Sequence, residues 1–377
     1  LLGSRGLGDV YKRQDLEWSG LGRVAVNLAK EISSRGISVD LVVGSATGVF
    51  LKEIPPQIRI VDFERQIQPR LQSALKILLP LRRYLQIEKP TALVCYLYTC
   101  NVVTLMAKML VRSKVKLVLV EQIILYEKQE KKQQKLQERF LPILMRWLYP
   151  SADKVVACSQ GLARDLEIYL GFNHGKIDVI YNPVIDEKLA EKANLFVEHP
   201  WFNKGEIPVV LGAGRLVRQK DFATLIRAFA LVKKEQKVRL VILGEGQLKN
   251  QLLTLVGQLN LENDVVILDF VENPYAYMAK SAVFVLSSGW EGFGNVVAEA
   301  LAAGAPVVST NCPSGPAEIL DNGKYGELVA VGNSQGMAEA ILRVLSGKVR
   351  SVDSAWLEQF TLKYSAQKYL ELINISV

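Results

Sequence analysis

Glu291 and Glu299 stand eight positions apart, with Gly292-Phe293-Gly294-Asn295 directly after the first of them. A helix-like run continues through Val296 to Ala303, Gly304 closes it, and Pro306–Ser309 reads as a short apolar strand. A glycine turn that opens a helix offers backbone N–H groups at the positive end of the helix dipole, which suits an anionic ligand. Glu291 lies at the lip of that turn and Glu299 inside the helix that follows. One carboxylate can then reach hydroxyls on one side of a bound phosphate and the second can reach them on the other. A sugar nucleotide has that chemistry.

Four further loops carry polar or glycine-rich signals. Gly212-Ala213-Gly214-Arg215 comes straight after a strand and leads to Arg218, Gln219 and Lys220. Glycine admits a ligand close to the backbone, and Arg215 and Lys220 then present two cations to one space. A diphosphate matches them, bound bidentately by the arginine and as a point charge by the lysine. A surface helix start with ordinary basic residues explains this motif as well. Gly244-Glu245-Gly246 also ends a strand; alone it is a turn, but doubly wound sheets bind ligands at carboxyl strand ends. The loop Asn311–Glu318 is fixed by its prolines and glycine, and Glu318 projects from it, although a turn and helix cap would look the same. In the first half, Gly20 and Gly22 form a glycine-rich loop before a helix. It can bring N–H groups to a phosphate or simply start the helix.

The elements that must position these residues alternate regularly. Strands are predicted at 39–43, 58–63, 92–96, 117–120, 155–158 and 178–181, then at 209–213, 239–243, 265–268, 283–286, 306–309 and 328–329. Helical patterns lie between many of them, among them 24–34, 69–87, 126–147, 222–235, 247–259, 296–303 and 335–345, and a last helix spans 354–373. Such alternation predicts an α/β chain with two Rossmann-like, doubly wound parallel-sheet domains facing across a cleft. The first domain is expected at 15–190 and the second, nucleotide-sugar-binding one at 191–353. Residues 354–377 are expected to return to the first domain. Residues 1–14 contain no strand-like apolar run, and Gly3, Gly6 and Gly8 break any helix, so this segment reads as a non-native replacement of the first strand.

A chain of 377 residues with 49% hydrophobic content has material for two cores. Cys95, Cys100, Cys158 and Cys312 show no zinc or redox spacing, which suggests a reduced, cytoplasmic setting. The apolar run 115–120, broken by Lys116, is too short to span a bilayer, so neither a transmembrane helix nor a signal peptide is expected. Charge is placed unevenly. Residues 1–190 hold 28 Lys and Arg against 19 Asp and Glu, a net of +9, whereas residues 191–377 hold 18 against 19. Nucleic acid or an anionic membrane attracts such a half. Nucleic acid is disfavoured, because no recognition motif and few interleaved aromatics accompany the basic residues. In the segments 70–83 and 128–147 the apolar residues are expected to pack on the domain and the basic excess to meet anionic lipid.

The Gly-Arg-Leu, Gln-Lys-Asp, Gly-Glu-Gly, paired-glutamate and Gly-Ala-Pro-Val-Val segments occur in order, with Ser159-Gln160-Gly161 and Asn182-Pro183-Val184 before them. In this the chain resembles the retaining GT-B glycosyltransferases of family 4, from about Ser19 to the end and most specifically over 209–320. The resemblance implies a nucleoside-diphosphate sugar bound mainly on the second domain. Arg215, Lys220 and Glu291 would be catalytic. Arg215 and Lys220 would hold the diphosphate, and Glu291 would position the sugar ring and not act as a nucleophile. Gly20, Gly214, Gly244, Phe293, Gly294, Asn295, Val296, Glu299 and Glu318 would complete the donor site, Glu299 on the ribose hydroxyls. The resemblance also implies no cofactor and no metal, a UDP-sugar donor, and a lipid-linked or glycan acceptor at the inner face of the cytoplasmic membrane. One departure stands out: where family members often carry a histidine, this chain has Glu121-Gln122, leaving Gln122 as a candidate sugar contact without a charge. His174 and His199 read as structural. Two other readings stay open, a sugar-nucleotide 2-epimerase of similar fold and a non-catalytic nucleotide-sugar-binding partner subunit. Histidine poverty argues against the first, and the retained Arg215, Lys220, Glu291 and Glu299 against the second.

Overall fold

In the computed structural model the chain divides into two compact units, Leu1–Pro183 with Phe360–Val377, and Val184–Gln359. Residues 2–3, 20–46, 49–65, 71–122, 136–203 and 205–374 are described. The sheet of the first unit contains β1 (Leu2–Gly3), β2 (Asp40–Val43), β3 (Arg59–Asp62), β4 (Ala92–Tyr96), β5 (Lys116–Glu121), β6 (Lys154–Ala157) and β7 (Asp178–Val179). Their order is β3-β2-β1-β4-β5-β6-β7, and every pairing is parallel. The second unit has β8 (Val209–Ala213), β9 (Arg239–Leu243), β10 (Val265–Leu268), β11 (Val283–Leu286), β12 (Val307–Thr310) and β13 (Glu327–Val329). These run parallel in the order β10-β9-β8-β11-β12-β13. Strands such as Val209–Ala213 and Val283–Leu286 are buried throughout, because helices cover both faces of a parallel sheet.

A short strand forms in the segment read as holding none. Leu2 pairs with Val42 of β2 and with Cys95 of β4, so β1 lies between these two strands inside the first sheet. Two apolar-compatible residues suffice because both neighbours supply ladder partners, a tertiary circumstance that composition does not reveal. The rest of the 1–14 segment lies outside the described residues, as do Lys128, Lys131, Lys132 and Lys135.

Unit boundaries also move from 190/191 and 353/354 to 183/184 and 359/360. The stretch expected as a linker is tied to the second unit: Asn273 Nδ2 donates to Lys192 O at 2.8 Å, and the Phe202 ring meets Tyr277 at 5.1 Å. His199 accepts from Trp201 N at 3.3 Å there, capping a short turn, while His174 bonds Glu167 at 3.0 Å in the first unit. At the far boundary Trp356 Nε1 donates to Ile319 O at 2.9 Å, holding the start of the closing segment on the second unit.

Two helices, Tyr98–Val111 and Gln160–Leu170, were not apparent from periodicity. Tyr98–Val111 is buried along most of its circumference, from Tyr98 to Leu105, so it carries no polar face to set a 3.6-residue rhythm. The apolar residues of the basic segments divide. Ile77, Leu81, Leu85 and Met145 pack inward, whereas Leu79 is 69% exposed, Trp147 is 81% exposed, and Leu75 and Ile143 also face outward. The expectation that all of them pack on the domain is therefore corrected. The 69–87 pattern is longer than one inward stripe needs, and its second stripe is left on the surface beside Lys76, Arg82 and Arg83.

The closing helix Leu362–Leu372 contributes Ala366, Tyr369 and Leu370 to the core of the first unit, together with Leu28, Leu41 and Val118. Leu370→Ala is expected to cost the first unit about 2–5 kcal/mol through lost transfer energy and a residual cavity. Urea unfolding measures this, and an unchanged midpoint would mean that the helix does not belong to that core.

Candidate active site

In the second sheet the chain leaves β8 toward β9 on one side, while β11 returns on the other side of β8. Crossovers on opposite sides open a crevice at the carboxyl ends of β8 and β11, where doubly wound sheets take their ligands. The sequence-selected loops all follow carboxyl strand ends here: 214–220 after β8, 244–246 after β9, 287–294 after β11 and 311–318 after β12.

The centre of the arrangement is Glu291, 6% exposed. Lys220 Nζ reaches its Oε1 at 2.5 Å, and Ser288 Oγ donates to the same oxygen at 2.6 Å. Gln219 Nε2 stands 3.5 Å from Oε2 and donates to Trp290 O at 2.9 Å. The two loops are further joined by Gly289 N to Gln219 O at 2.8 Å and by Ser287 Oγ to Lys220 O at 2.7 Å. A third loop is joined by Ser314 Oγ to Glu291 O at 2.6 Å and Thr310 Oγ1 to Ser288 O at 2.6 Å. Ser287, Ser288, Thr310 and Ser314 are all buried, and the sequence reading singled out none of them as a site residue. Hydroxyl residues clustered at the ends of β11 and β12 were the available signal; Ser287, Thr310 and Ser314 bond to other loops, and Ser288 bonds to Glu291 within its own.

Arg215 is exposed by surface area, yet crowded enough that desolvation lowers its pKa, with the charge of Glu291 opposing. Nearby atoms crowd the guanidinium without covering it. Arginine stays protonated in either case. Cys312 is pushed up to about 12, first by burial and then by the Glu291 charge, so it remains a thiol beside the site.

The glycines serve different ends. An added Cβ at Gly244 would lie 2.0 Å from Gly214 O, and one at Gly315 would lie 1.9 Å from Phe293 O. Both also hold positive φ, +147° and +85°. Gly244 is therefore required by loop-on-loop packing, a reason separate from the ligand approach expected of it. Around Gly214 an added Cβ would meet the aliphatic stem of Lys220 at 3.4 Å. Gly294, at φ +93°, precedes the helix Asn295–Ala302 and, being glycine, brings no side chain of its own to cap it. Asn295 and Val296 are its first residues, and Glu299, 7% exposed, is its fifth. Glu318 lies in the short helix Pro316–Ile319, part-exposed, and Phe293 is buried. Among the described residues no three His, Cys, Asp or Glu side chains gather as a metal site would need.

Asp221 adds a feature that sequence reading passed over. It adopts φ +41° and caps the helix Phe222–Glu235, its carboxylate accepting from Thr224 N at 3.3 Å and from Thr224 Oγ1 at 2.6 Å. This cap fixes the residue next to Lys220, in a left-handed conformation that Asp tolerates better than most residues.

The remaining candidates belong to the first unit. Gly20 is the first residue of the helix Gly20–Ser34, so Gly20 and Gly22 lie in its first turn and not in a loop before it. Glycine is tolerated there because the first N–H groups have no partner within the helix. Gln122 Nε2 donates to Asn182 Oδ1 at 2.6 Å, and Asn182 Nδ2 returns a bond to Gln122 Oε1 at 2.9 Å. A sugar hydroxyl would have to displace Asn182 to bond this amide. Glu121 is buried, accepting from Asn101 Nδ2 at 2.8 Å and from the Tyr149 hydroxyl. Burial, then the Glu121 charge, pushes the Tyr149 phenol well up.

The family pattern described as Glycosyltransferase Family 4 matches residues 18–188, and that of glycosyl transferases group 1 matches residues 195–356. The chain belongs to the family 4 glycosyltransferases. Among curated relatives, a Campylobacter jejuni protein is 38% identical over 204 residues, 54% of this chain and 53% of that one. It is named N-acetylgalactosamine-N,N'-diacetylbacillosaminyl-diphospho-undecaprenol 4-alpha-N-acetylgalactosaminyltransferase. The match thus spans about half the length of that relative. Two solved structures share the GT-B fold. A glycosyltransferase from Rickettsia africae has a TM-score of 0.77 at 17% identity, covering 95% of each chain. HepE from Anabaena, in complex with UDP and glucose, has a TM-score of 0.74 at 22% identity, covering 94% of this chain and 96% of that one.

Proposed function

We propose that the protein is a retaining glycosyltransferase that moves a hexose or N-acetylhexosamine from a UDP-sugar to a lipid-linked glycan acceptor in surface polysaccharide synthesis. The observation that carries this reading is the convergence of Arg215, Lys220 and Glu291 on one switch-point crevice, with two cations for a leaving diphosphate and a carboxylate for the sugar. The barrier is departure of the nucleoside diphosphate from an oxocarbenium-like carbon, so the main task is to stabilise charge growing on the leaving group. Arg215 and Lys220 do this from fixed loops. Glu291 already accepts from Lys220 and Ser288, which suits a positioning role better than a nucleophilic one. Attack then occurs on the face from which the diphosphate leaves, and its phosphate oxygen accepts the proton of the acceptor hydroxyl. Phosphate charge is met by side chains, so the reaction is proposed to need no metal. Transfer of label from a panel of UDP-hexoses and UDP-N-acetylhexosamines to a polyprenyl-diphosphate-linked glycan, undiminished by EDTA, is the expected result. Abolition by EDTA would overturn the metal independence, and failure of every UDP-sugar would overturn the donor.

The acceptor side is proposed to work at an anionic membrane surface. Among the described residues no helix is long and apolar enough to cross a membrane. The outward stripe of Leu75, Leu79 and Ile87 beside Lys76, Arg82 and Arg83, and the exposed Ile143 and Trp147 beside Arg146, support peripheral contact at the inner face. The protein is expected to sediment with anionic vesicles and to be released by salt, because screening weakens that attraction. Equal recovery with neutral vesicles would count against this surface.

A further inference from the structure

Ser288 is fully buried and so cannot itself meet a ligand, yet it donates to the one carboxylate on which the donor-sugar reading depends. Glu291 Oε1 takes two donors, Lys220 Nζ at 2.5 Å and Ser288 Oγ at 2.6 Å. Its Oε2 receives Gln219 Nε2 at 3.5 Å, the outer limit of a hydrogen bond. An ionised carboxylate has roughly four acceptor positions, so Oε2 keeps capacity for a sugar hydroxyl. A diphosphate set against Arg215 and Lys220 competes with Glu291 for the lysine ammonium. If Lys220 were the sole anchor, Glu291 would lose its orientation at the moment the donor binds. Ser288 is a neutral donor that the diphosphate does not draw away. It is itself fixed, since its carbonyl accepts from the buried Thr310 hydroxyl at 2.6 Å and Ser314 Oγ pins the Glu291 carbonyl at 2.6 Å.

We infer that Ser288 is a positioning residue: it holds Glu291 Oε1 while the donor diphosphate shares Lys220, which keeps Oε2 available to the transferred sugar. This rests on the donor-site reading above.

The test compares binding of UDP with binding of the tightest member of a panel of UDP-glucose, UDP-galactose, UDP-N-acetylglucosamine and UDP-N-acetylgalactosamine, by titration calorimetry. Ser288→Ala is expected to weaken the UDP-sugar by about tenfold or more, the size of one hydrogen bond to a charged group, while UDP affinity stays unchanged. Ser288→Thr, which retains the hydroxyl, is expected to restore most of the loss. In a Glu291→Gln background, Ser288→Ala should have no further effect on the UDP-sugar, because a pair acting through one contact is not additive. Retained UDP binding shows that each variant is folded. Equal weakening of UDP and UDP-sugar, or no weakening of either, would overturn the positioning role and leave the donor site standing. A parent protein that binds neither UDP nor any UDP-sugar would overturn both.

Discussion

Arg215→Ala is expected to reduce sugar transfer by about a hundredfold or more, as removal of one preorganised donor to a developing anion does. The effect should fall mainly on kcat, because charge on the diphosphate is greatest in the transition state. Arg215 is the cleaner of the two cations to remove. Its side chain is more exposed than that of Lys220, so its removal opens less of the buried loop packing. Lys220, by contrast, is paired with Glu291 at 2.5 Å with side-chain exposures of 14% and 8%. Deleting one partner of a buried pair strands the other charge, at a cost of about 3–5 kcal/mol, so a Lys220→Ala defect would mix lost catalysis with lost structure. Steady-state kinetics together with a melting curve separate these effects. An Arg215→Ala protein that melts normally and transfers at the parent rate would remove Arg215 from the catalytic group.

Glu299→Ala is expected to abolish the thermal shift that UDP gives the parent protein. A nucleotide at about a hundred times its dissociation constant adds roughly 2.7 kcal/mol. For a cooperative unit of the size of Val184–Gln359 that is a rise of about 5–10 °C. Glu299 lies one helical turn beyond Asn295, on a helix whose start is set by Gly294 in the left-handed region. A carboxylate there suits two ribose hydroxyls, for which alanine has no acceptor. Because Glu299 is nearly buried, Glu299→Gln serves as the companion variant, keeping the volume while removing the charge. Comparison of UDP with GDP and ADP gives base selectivity in the same experiment. Undiminished shifts in both variants would move the ribose contact to another residue.

Much of the second unit was legible from the sequence because its signals are local. Each of the strands β8 to β12 is a short apolar run ended by glycine or a small polar residue, and each is followed by a loop that carries its polar residues at fixed offsets. The position of Glu291 and Glu299 on either side of a glycine turn follows from eight residues of chain and needs no distant partner. Loop order along the chain also implied that the loops carrying Arg215, Lys220 and Glu291 lie at one edge, since a doubly wound sheet brings the carboxyl ends of its strands together, and Lys220 and Glu291 do pair there.

What escaped the sequence was decided by contacts between segments far apart in the chain. Helix Tyr98–Val111 shows no amphipathic rhythm because it is buried nearly all round. The Leu2–Gly3 strand is a strand only because β2 and β4 flank it. Gln122 read as open to a sugar, but Asn182, 60 positions later, takes both ends of its amide. Ser288, Thr310 and Ser314 were not singled out; Ser288 bonds Glu291 three positions along its own loop, whereas Thr310 and Ser314 join the frame only because the ends of β11 and β12 converge. By itself, then, the sequence determined the α/β class and the two repeated sheets and supplied the candidate residues for a sugar nucleotide, because backbone periodicity and side-chain chemistry are local properties. The tertiary structure alone decided which carboxylate pairs with which cation and which hydroxyls hold it, because a hydrogen bond depends on the position of both partners and the chain encodes only one of them at a time.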